Sequence, residues 1–362
     1  MPTTPQRARR WVESDKAVGK WSDLGVYYVQ LTCEPSGTNT QPIVVGIDPG
    51  KLFSGIAVQS SQFTLFLAHL VLPFQTVKDR MEQRRVMRRT RRSRRINRKV
   101  EFKLRKHRQK RFDNRKSKKV PPSIKANRQL ELRVVTELVR IYPVSTIVYE
   151  YVKADVDLTS GRNKARSGKG FSPVMVGQRW AIDLLIQLVP VVTLEGWKTA
   201  NIRHYLGLEK SKDKGEQSPR SHAVDGIALA CSQFISFEKY QAKASHGANW
   251  MGEVSVTDPV FKVIRRPPIC RRQLHLLQPR KGGVRRKYGG TVTRHNGLRK
   301  GDFVKAEKAG VTYYGWVSGD TARHISVSDI NWKRLGQFTA KKVELIQRNT
   351  GLLVNGASNP AD

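Results

Sequence analysis

Between Arg80 and Lys119 the chain carries 21 Lys or Arg residues against 3 acidic ones, which places +18 of its formal +38 in about a tenth of its length. The wider stretch Gln75–Val120 contains no Pro or Gly, so it predicts one long helix rising ~1.5 Å per residue until Pro121 and Pro122 stop it. Apolar, β-rich sequence lies on both sides, so a strongly basic segment is spliced into a fold whose halves flank it. A segment of this kind expects a polyanion, bound through counterion release and hence in a salt-dependent way.

With 362 residues the chain can hold two or three domains, and a hydrophobic fraction of 38% suffices for a core. The excess of 67 basic over 29 acidic residues favours RNA or DNA over membrane surfaces and acidic proteins. Met1 is followed by no apolar signal region, and the longest uncharged apolar run, Leu184–Leu194, falls short of the ~20 residues a bilayer span requires. The expectation is a soluble intracellular protein with no membrane partner. Cys33, Cys231 and Cys270 stand far apart without a CxxC pair, which argues against a zinc ribbon or a disulfide framework and leaves three reduced bystanders.

Five segments are read along the chain. Residues 1–40 form a leader with a short helix (Gln6–Ser14), a strand (Val26–Leu31) and a polar linker. Residues 41–76 hold a β-meander of Ile43–Ile47, Gly55–Val58 and Phe63–Leu72. The basic helix occupies 77–120. Residues 121–258 alternate helix and strand: Ile124–Ile141 with Leu130, Val134, Leu138 and Ile141 on its apolar face, strand Thr146–Val152, a loop over Asp155–Gly170, helix Pro173–Leu188, strand Val191–Leu194, helix Ala200–Leu206, a polar and mobile stretch Glu209–Ser221, and helix His222–Phe234. Residues 259–362 read as short strands (Phe303–Ala306, Thr312–Val317, His324–Val327) in a small β-barrel-like domain with a basic surface. There is no long internal repeat.

Four residues suit hard-metal chemistry. Asp48 ends a strand, Glu150 lies within another, and His222 and Asp225 are three apart, which on a helix puts them on one face. Carboxylates can hold two Mg²⁺ ions ~3.5–4 Å apart, with Mn²⁺ an alternative, and such a pair serves in-line phosphodiester displacement; a His beside them suits a metal's water or proton transfer. Singly each has a plain structural reading, Asp48 as a turn former before Pro49-Gly50 and His222 as the neighbour of a helix cap. Glu150 inside the apolar run Ile147–Val152 is costly unless paired or metal-bound, which favours the joint reading.

The string Ile43-Val-Val-Gly-Ile-Asp48-Pro-Gly50 with Gly55 resembles the first motif of RuvC-type nucleases, Ile147-Val-Tyr-Glu150 resembles the second, and Ser221-His-Ala-Val-Asp225 the third. The resemblance implies an α/β fold: an RNase H-like (RuvC) nuclease core split by an arginine-rich bridge helix, with a small N-terminal module and a β-rich C-terminal domain. That bridge between the first two motifs, and the leader Pro2–Arg10 followed by Ser14–Val18, which looks like a PLMP module, resemble the IscB and IsrB proteins, transposon-encoded relatives of CRISPR effectors. Two departures stand out: the chain begins at the Met-Pro of that leader, without the strand that normally precedes it, and Gly226 stands where Ala is usual.

IscB carries an HNH domain between its second and third motifs, whereas here the 71 residues Tyr151–Ser221 contain one histidine, His204. The pattern therefore resembles IsrB, with one nuclease centre. The resemblance implies a Mg-dependent nickase that cuts the displaced strand of a DNA target, one protein per guide (omega) RNA, in the cytoplasm of a prokaryote and associated with its nucleoid. A large structured RNA would supply scaffold that larger effectors build from protein. Arg84, Arg85, Arg88, Arg89, Arg91, Arg92, Arg94, Arg95 and Arg98 would hold RNA phosphates.

A second basic cluster, Arg265, Arg266, Arg271, Arg272, Arg280, Lys281, Arg285, Arg286 and Lys287, is interleaved with Tyr288 and His295 and expects nucleic acid as well. Tyr313, Tyr314, Trp316 and Trp180 read as core. The rival readings are a TnpB-like nuclease, disfavoured by the missing CxxC pairs, a non-catalytic RNA- or DNA-binding protein of a transposon, and a junction resolvase, which has no use for the bridge.

Overall fold

The computed structural model describes residues 3–34, 37, 39–93, 96–105, 120–153, 172–238, 250–269 and 296–355. The leader contains α1 (Pro5–Glu13) and a hairpin of β1 (Ala17–Trp21) and β2 (Tyr27–Leu31). Next come β3 (Val44–Asp48), β4 (Phe53–Gln59), β5 (Thr64–Val71), α2 (Phe74–Ser93), α3 (Pro122–Ile141) and β6 (Thr146–Tyr151). They are followed by α4 (Pro173–Leu185), β7 (Val191–Glu195), α5 (Gly196–Tyr205), α6 (His222–Cys231), and the short β8 (Ser236–Phe237) and β9 (Trp250–Met251). The chain closes with β10 (Phe261–Arg265), β11 (Phe303–Lys308), β12 (Val311–Asp320), β13 (His324–Ser328), β14 (Arg334–Thr339), β15 (Val343–Gln347) and β16 (Leu353–Val354).

Strands β3 to β5 form an antiparallel meander, and β6 and β7 add to it in parallel, giving the order β16-β10-β5-β4-β3-β6-β7. The central order β5-β4-β3-β6-β7, with only β4 reversed, is the RNase H-like arrangement. Side-chain alternation sorts its two faces. Val45, Ile47, Ile56, Val58, Ile147 and Tyr149 point to one face, where they pack with Leu130, Val134, Val135 and Leu138 of α3. Val44, Ala57 and Val148 point to the other, under Ala223, Ile227, Leu229 and Ala230 of α6. By the same parity Asp48 and Glu150 lie on the α6 face.

Helix α6 is almost entirely buried, because α5 covers it from outside through Ile202 against Ala228. It lies very close to the sheet. A Cβ on Gly55 would fall 1.7 Å from the His222 carbonyl oxygen, and one on Gly46 would fall 2.0 Å from that of Gly226. The departure at Gly226 has the same cause, since a Cβ there would meet the Ala57 backbone nitrogen at 2.9 Å. Only glycines allow this approach, and it brings the first turn of α6 to the end of β3.

By contact, the chain divides into two compact units. One comprises the leader, the sheet with α3 to α6, and residues up to Arg266 together with 352–362. The leader is tied in by Leu24, fully buried in the main core, and by an ion pair between Asp23 and Arg133. Strands β10 and β16 also belong here: β10 pairs in parallel with β5, and β16 with β10. The sequence after Pro259, read as one terminal domain, thus contributes two strands to the core sheet, a pairing across distant positions that no local pattern announces.

The other unit holds α2 and residues 267–351. Here the described part of the basic helix runs to Ser93, and the described residues 96–105 hold a 3₁₀ turn at Phe102–Leu104 and no α-helix, so Gln75–Val120 is not one unbroken α-helix. Like charges at helical spacing oppose propagation, and a lack of Pro and Gly does not outweigh them. The terminal strands form a five-stranded antiparallel sheet, β14-β13-β12-β11-β15, around Val304, Val317, Ile325, Val327 and Phe338. Among the described residues its ladder runs from β14 to β15, and all five strands contribute to the one core. Trp316 is buried and Tyr313 packs on this core, but Tyr314 is exposed. Trp180, read as core, is half-buried with Lys125 Nζ 5.2 Å from its ring centre.

Candidate active site

Asp48 terminates β3 and is only 7% exposed. Its Oδ2 lies 2.7 Å from His222 Nδ1, and ligand atoms of Asp48, His222 and Asp225 come within 4.8 Å of one another. Glu150 completes the site electrostatically. Burial, then the Asp48 charge and more weakly Asp225, push its carboxyl up to about 8, partly offset by the nearby Thr199 hydroxyl and by Lys210. Asp225 is raised by burial and by Asp48 and pulled back by Lys210 and Arg203. Three carboxylates thus press on one another at the end of the sheet, a charge arrangement that a divalent cation would relieve. The hard oxygen donors and one imidazole fit Mg²⁺ or Mn²⁺.

The third-motif residues are held from beneath. Ser221, the N-cap residue of α6, has its Oγ 2.7 Å from Nδ1 of His69, which is fully buried on β5. Burial lowers the His69 pKa to about 4, helped by His222 and Arg265, so this imidazole stays neutral and acts as a fixed dipole.

The turn after Asp48 is fixed by a network that periodicity did not reveal. Arg128 and Glu131 pair at 2.7 Å, 1% and 2% exposed. Arg128 also donates to the Gly50 carbonyl at 2.6 Å and to Tyr149 Oη at 3.1 Å. Glu131 accepts from Ser54 Oγ at 2.5 Å, Ser54 Oγ accepts from the Gly50 amide at 3.0 Å, and Asn127 donates to the Lys51 carbonyl at 2.8 Å. An i,i+3 Arg/Glu pair ordinarily marks a solvated helix face; its signal here is that it continues the buried stripe of Leu130 and Val134.

Lys210 and Arg203 were also missed. Both form ion pairs with Asp225, Arg203 Nε at 2.7 Å from Oδ1. Lys210 lies in the polar stretch Glu209–Ser221, where nothing in the local pattern distinguishes it from solvated lysines.

Of the bridge residues, Arg85, Arg88, Arg89 and Arg98 are exposed and Arg84 is half-buried. Arg91 and Arg92 fall on α2, and their side chains, like Arg94 and Arg95, lie outside the described residues. So do Arg285, Arg286, Lys287, Tyr288, His295, Cys270 and the predicted loop 155–170. Among the described cysteines, Cys33 and Cys231 are free thiols. Among the described residues no helix is long and apolar enough to cross a membrane.

An RNase H-like core, with a carboxylate cluster at the end of its central strand, is the class that this strand order defines. A family model described as RRXRR protein matches residues 1–170, just under half of the chain; Arg88-Arg89-Thr90-Arg91-Arg92 has that spelling. Among solved structures, RuvC of Thermus thermophilus in complex with a Holliday junction substrate is similar at 13% identity and TM-score 0.27, over 52% of this chain and 90% of that one. A second Thermus thermophilus RuvC structure gives 14% and 0.24 over the same shares. A CRISPR-Cas12f ternary complex, seen by cryo-electron microscopy, gives 14% and 0.27 over 56% of this chain and 41% of that one. At TM-scores this low the fold assignment rests on the strand order itself. No curated protein matches the chain.

Proposed function

We propose that this protein is an RNA-guided DNA endonuclease that nicks the displaced strand of its target in a single RuvC-like site. The observation that carries the reading is the convergence of Asp48, His222 and Asp225 at one end of the sheet, with Glu150 beside them, its pKa lifted to about 8 by burial and then by the charges of Asp48 and Asp225. Asp48, Glu150 and Asp225, with His222, would hold divalent metal. Two such ions supply activation of a water and stabilisation of the leaving oxygen in phosphodiester hydrolysis. With Asp48 accepting at Nδ1, His222 keeps its Nε2 for a proton. The Arg128–Glu131 network holds the Asp48-Pro49-Gly50 turn, and Ser221 fixes the entry of α6.

Guidance by RNA is supported by the arginine-rich segment between the two halves of the nuclease sheet and by the order of motifs that resembles IsrB. Base pairing would then read the sequence, while Arg84, Arg85, Arg88, Arg89 and the other bridge cations hold phosphates. We assign the five segments 1–40, 41–76, 77–120, 121–258 and 259–362 to leader, first nuclease segment, bridge, second and third nuclease segments, and target or RNA contact, with β10 and β16 lent to the core. Arg285, Arg286 and Lys287 belong to the last of these, as nucleic-acid contacts.

The test uses a target duplex labelled on each strand in turn, with protein and RNA transcribed from beside its gene and reprogrammed to that target. Cleavage of the displaced strand alone, abolished by RNase pretreatment, is expected. Cleavage that ignores RNase would point instead to a resolvase-type nuclease, and RNA binding without cleavage to the non-catalytic reading.

A further inference from the structure

One residue beyond the Glu150 contact, the surface changes character. Gly196 stands so near the Glu150 carboxylate that a Cβ would lie 3.1 Å from Oε1. The next side chain, Trp197, is 51% exposed, and Phe237 beside it 37%. Large rings this open are uncommon on a monomer surface unless something covers them. These two are also fixed in place. Their centroids are 6.1 Å apart at 77°, and Phe237 in turn stands 5.1 Å from Trp250, a buried ring, at 61°. The Trp197 indole N–H donates to Glu195 Oε2 at 2.8 Å, and Glu195 Oε1 pairs with Lys153 Nζ at 2.8 Å.

Cations accompany the rings. Lys198 Nζ lies 5.4 Å from both the Trp197 and the Phe237 centroid, and Lys153 Nζ 6.0 Å from that of Tyr151. Alongside runs an open groove of about 510 Å³ lined by Tyr151, Lys153, Thr193, Leu194, Glu195 and Lys198. The lone acid in this lining, Glu195, is already occupied by Lys153 and the indole.

We propose that this face is a stacking platform for single-stranded DNA, which lays its bases on Trp197 and Phe237 and its phosphates against Lys198 and Lys153. Rigid exposed aromatics interleaved with lysines are what an unpaired strand recognises, because every unpaired base offers a π-face, whereas a duplex hides its base faces in the stack. The net positive charge disfavours a basic or neutral protein surface as the occupant. The inference rests on the nuclease reading for its purpose, delivery of a displaced strand to Glu150, but strand binding itself does not depend on it.

The measurement is the affinity of the full-length protein, as purified, for fluorescein-labelled oligothymidylate and for a duplex of equal length, in EDTA so that no cleavage intervenes. Trp197→Ala is expected to weaken single-strand binding about 5- to 100-fold with the duplex unaffected, and Trp197→Tyr to restore most of the loss. Phe237→Ala, on a separate strand, should act in the same direction. Lys198→Gln should lower the slope of log affinity against log salt by about one, while Trp197→Ala leaves that slope unchanged.

Single-strand affinity that is unchanged in both aromatic variants overturns the platform, as does an equal loss for strand and duplex. A change in oligomeric state with unchanged strand binding would assign the face to protein contact instead. Loss of strand binding in Trp197→Ala from a protein that never cleaves DNA would sustain the platform while overturning the nuclease reading; cleavage with normal strand binding in the variants would do the reverse.

Discussion

His222 Nδ1 lies 2.7 Å from Asp48 Oδ2, which joins the first turn of α6 to the end of β3 across 174 positions of sequence. The contact exists because glycines at 46, 55 and 226 let the helix lie directly on the strands. His222→Gln keeps the bulk but cannot relay a proton. It is expected to lower metal-dependent cleavage about 10²- to 10⁴-fold, the usual contribution of a positioned acid or base, with thermal stability little altered. Single-turnover rates at saturating Mg²⁺ check this, and an unaltered rate in the variant would remove His222 from the chemistry.

Lys210 neutralises Asp225 without metal and competes with a cation for the same carboxylate. Lys210→Met should therefore tighten Mg²⁺ binding several-fold, as read by isothermal titration calorimetry, and lower the stability of the metal-free protein. Weaker Mg²⁺ binding would mean that Lys210 organises the ligand set and does not compete with it.

The raised carboxyl of Glu150 gives the metal-free protein a defined pH dependence. Its pKa is about 8 in the fold against an ordinary 4.5, so the native state holds this proton more tightly than the unfolded chain does. The resulting stabilisation is complete below pH 4.5 and is lost as pH rises towards 8. Denaturant midpoints in EDTA should thus fall across that window, more steeply in wild type than in Glu150→Gln, and Mg²⁺ should reverse the fall at pH 8. Parallel profiles for the two proteins would contradict the crowding of the carboxylates.

Breaking the buried Arg128–Glu131 pair should be costly. Arg128→Met leaves Glu131 without its counter-ion in an apolar setting and is expected to cost ~3–5 kcal/mol. Arg128→Met combined with Glu131→Leu should recover much of that stability but not activity, because the Gly50 carbonyl loses its donor. Urea unfolding of the three variants decides, and full recovery of cleavage in the double variant would deny the network its role at Asp48.

Much of the core was legible because its strands are continuous apolar runs. Val44–Asp48, Phe53–Gln59, Thr64–Val71 and Thr146–Tyr151 fall within one or two residues of their expected ends, and parity along them places Asp48 and Glu150 on the α6 face. Where polarity or distance governs, the sequence was silent. Strand β1, Ala17–Trp21, is exposed beyond Ala17 and carries no alternation of apolar and polar residues, so no pattern betrays it. The pairing of β10 with β5 joins residues almost 200 apart, and an unbroken helix inferred from absent breakers ignored the like-charge repulsion that opposes it. At the site, Asp48, His222 and Asp225 come together and Glu150 lies near enough to feel the charges of both aspartates, but their supports do not announce themselves: Lys210 and Arg203 resemble any surface cation, and Arg128–Glu131 any surface pair.

The most direct measurement is plasmid topology. Supercoiled target is incubated with protein, reprogrammed RNA and Mg²⁺, beside an Asp48→Ala control that retains RNA binding. Open circles that require RNA, Mg²⁺ and Asp48 are expected. Linear product, or open circles that persist in Asp48→Ala, would contradict a single RuvC-like centre built on Asp48.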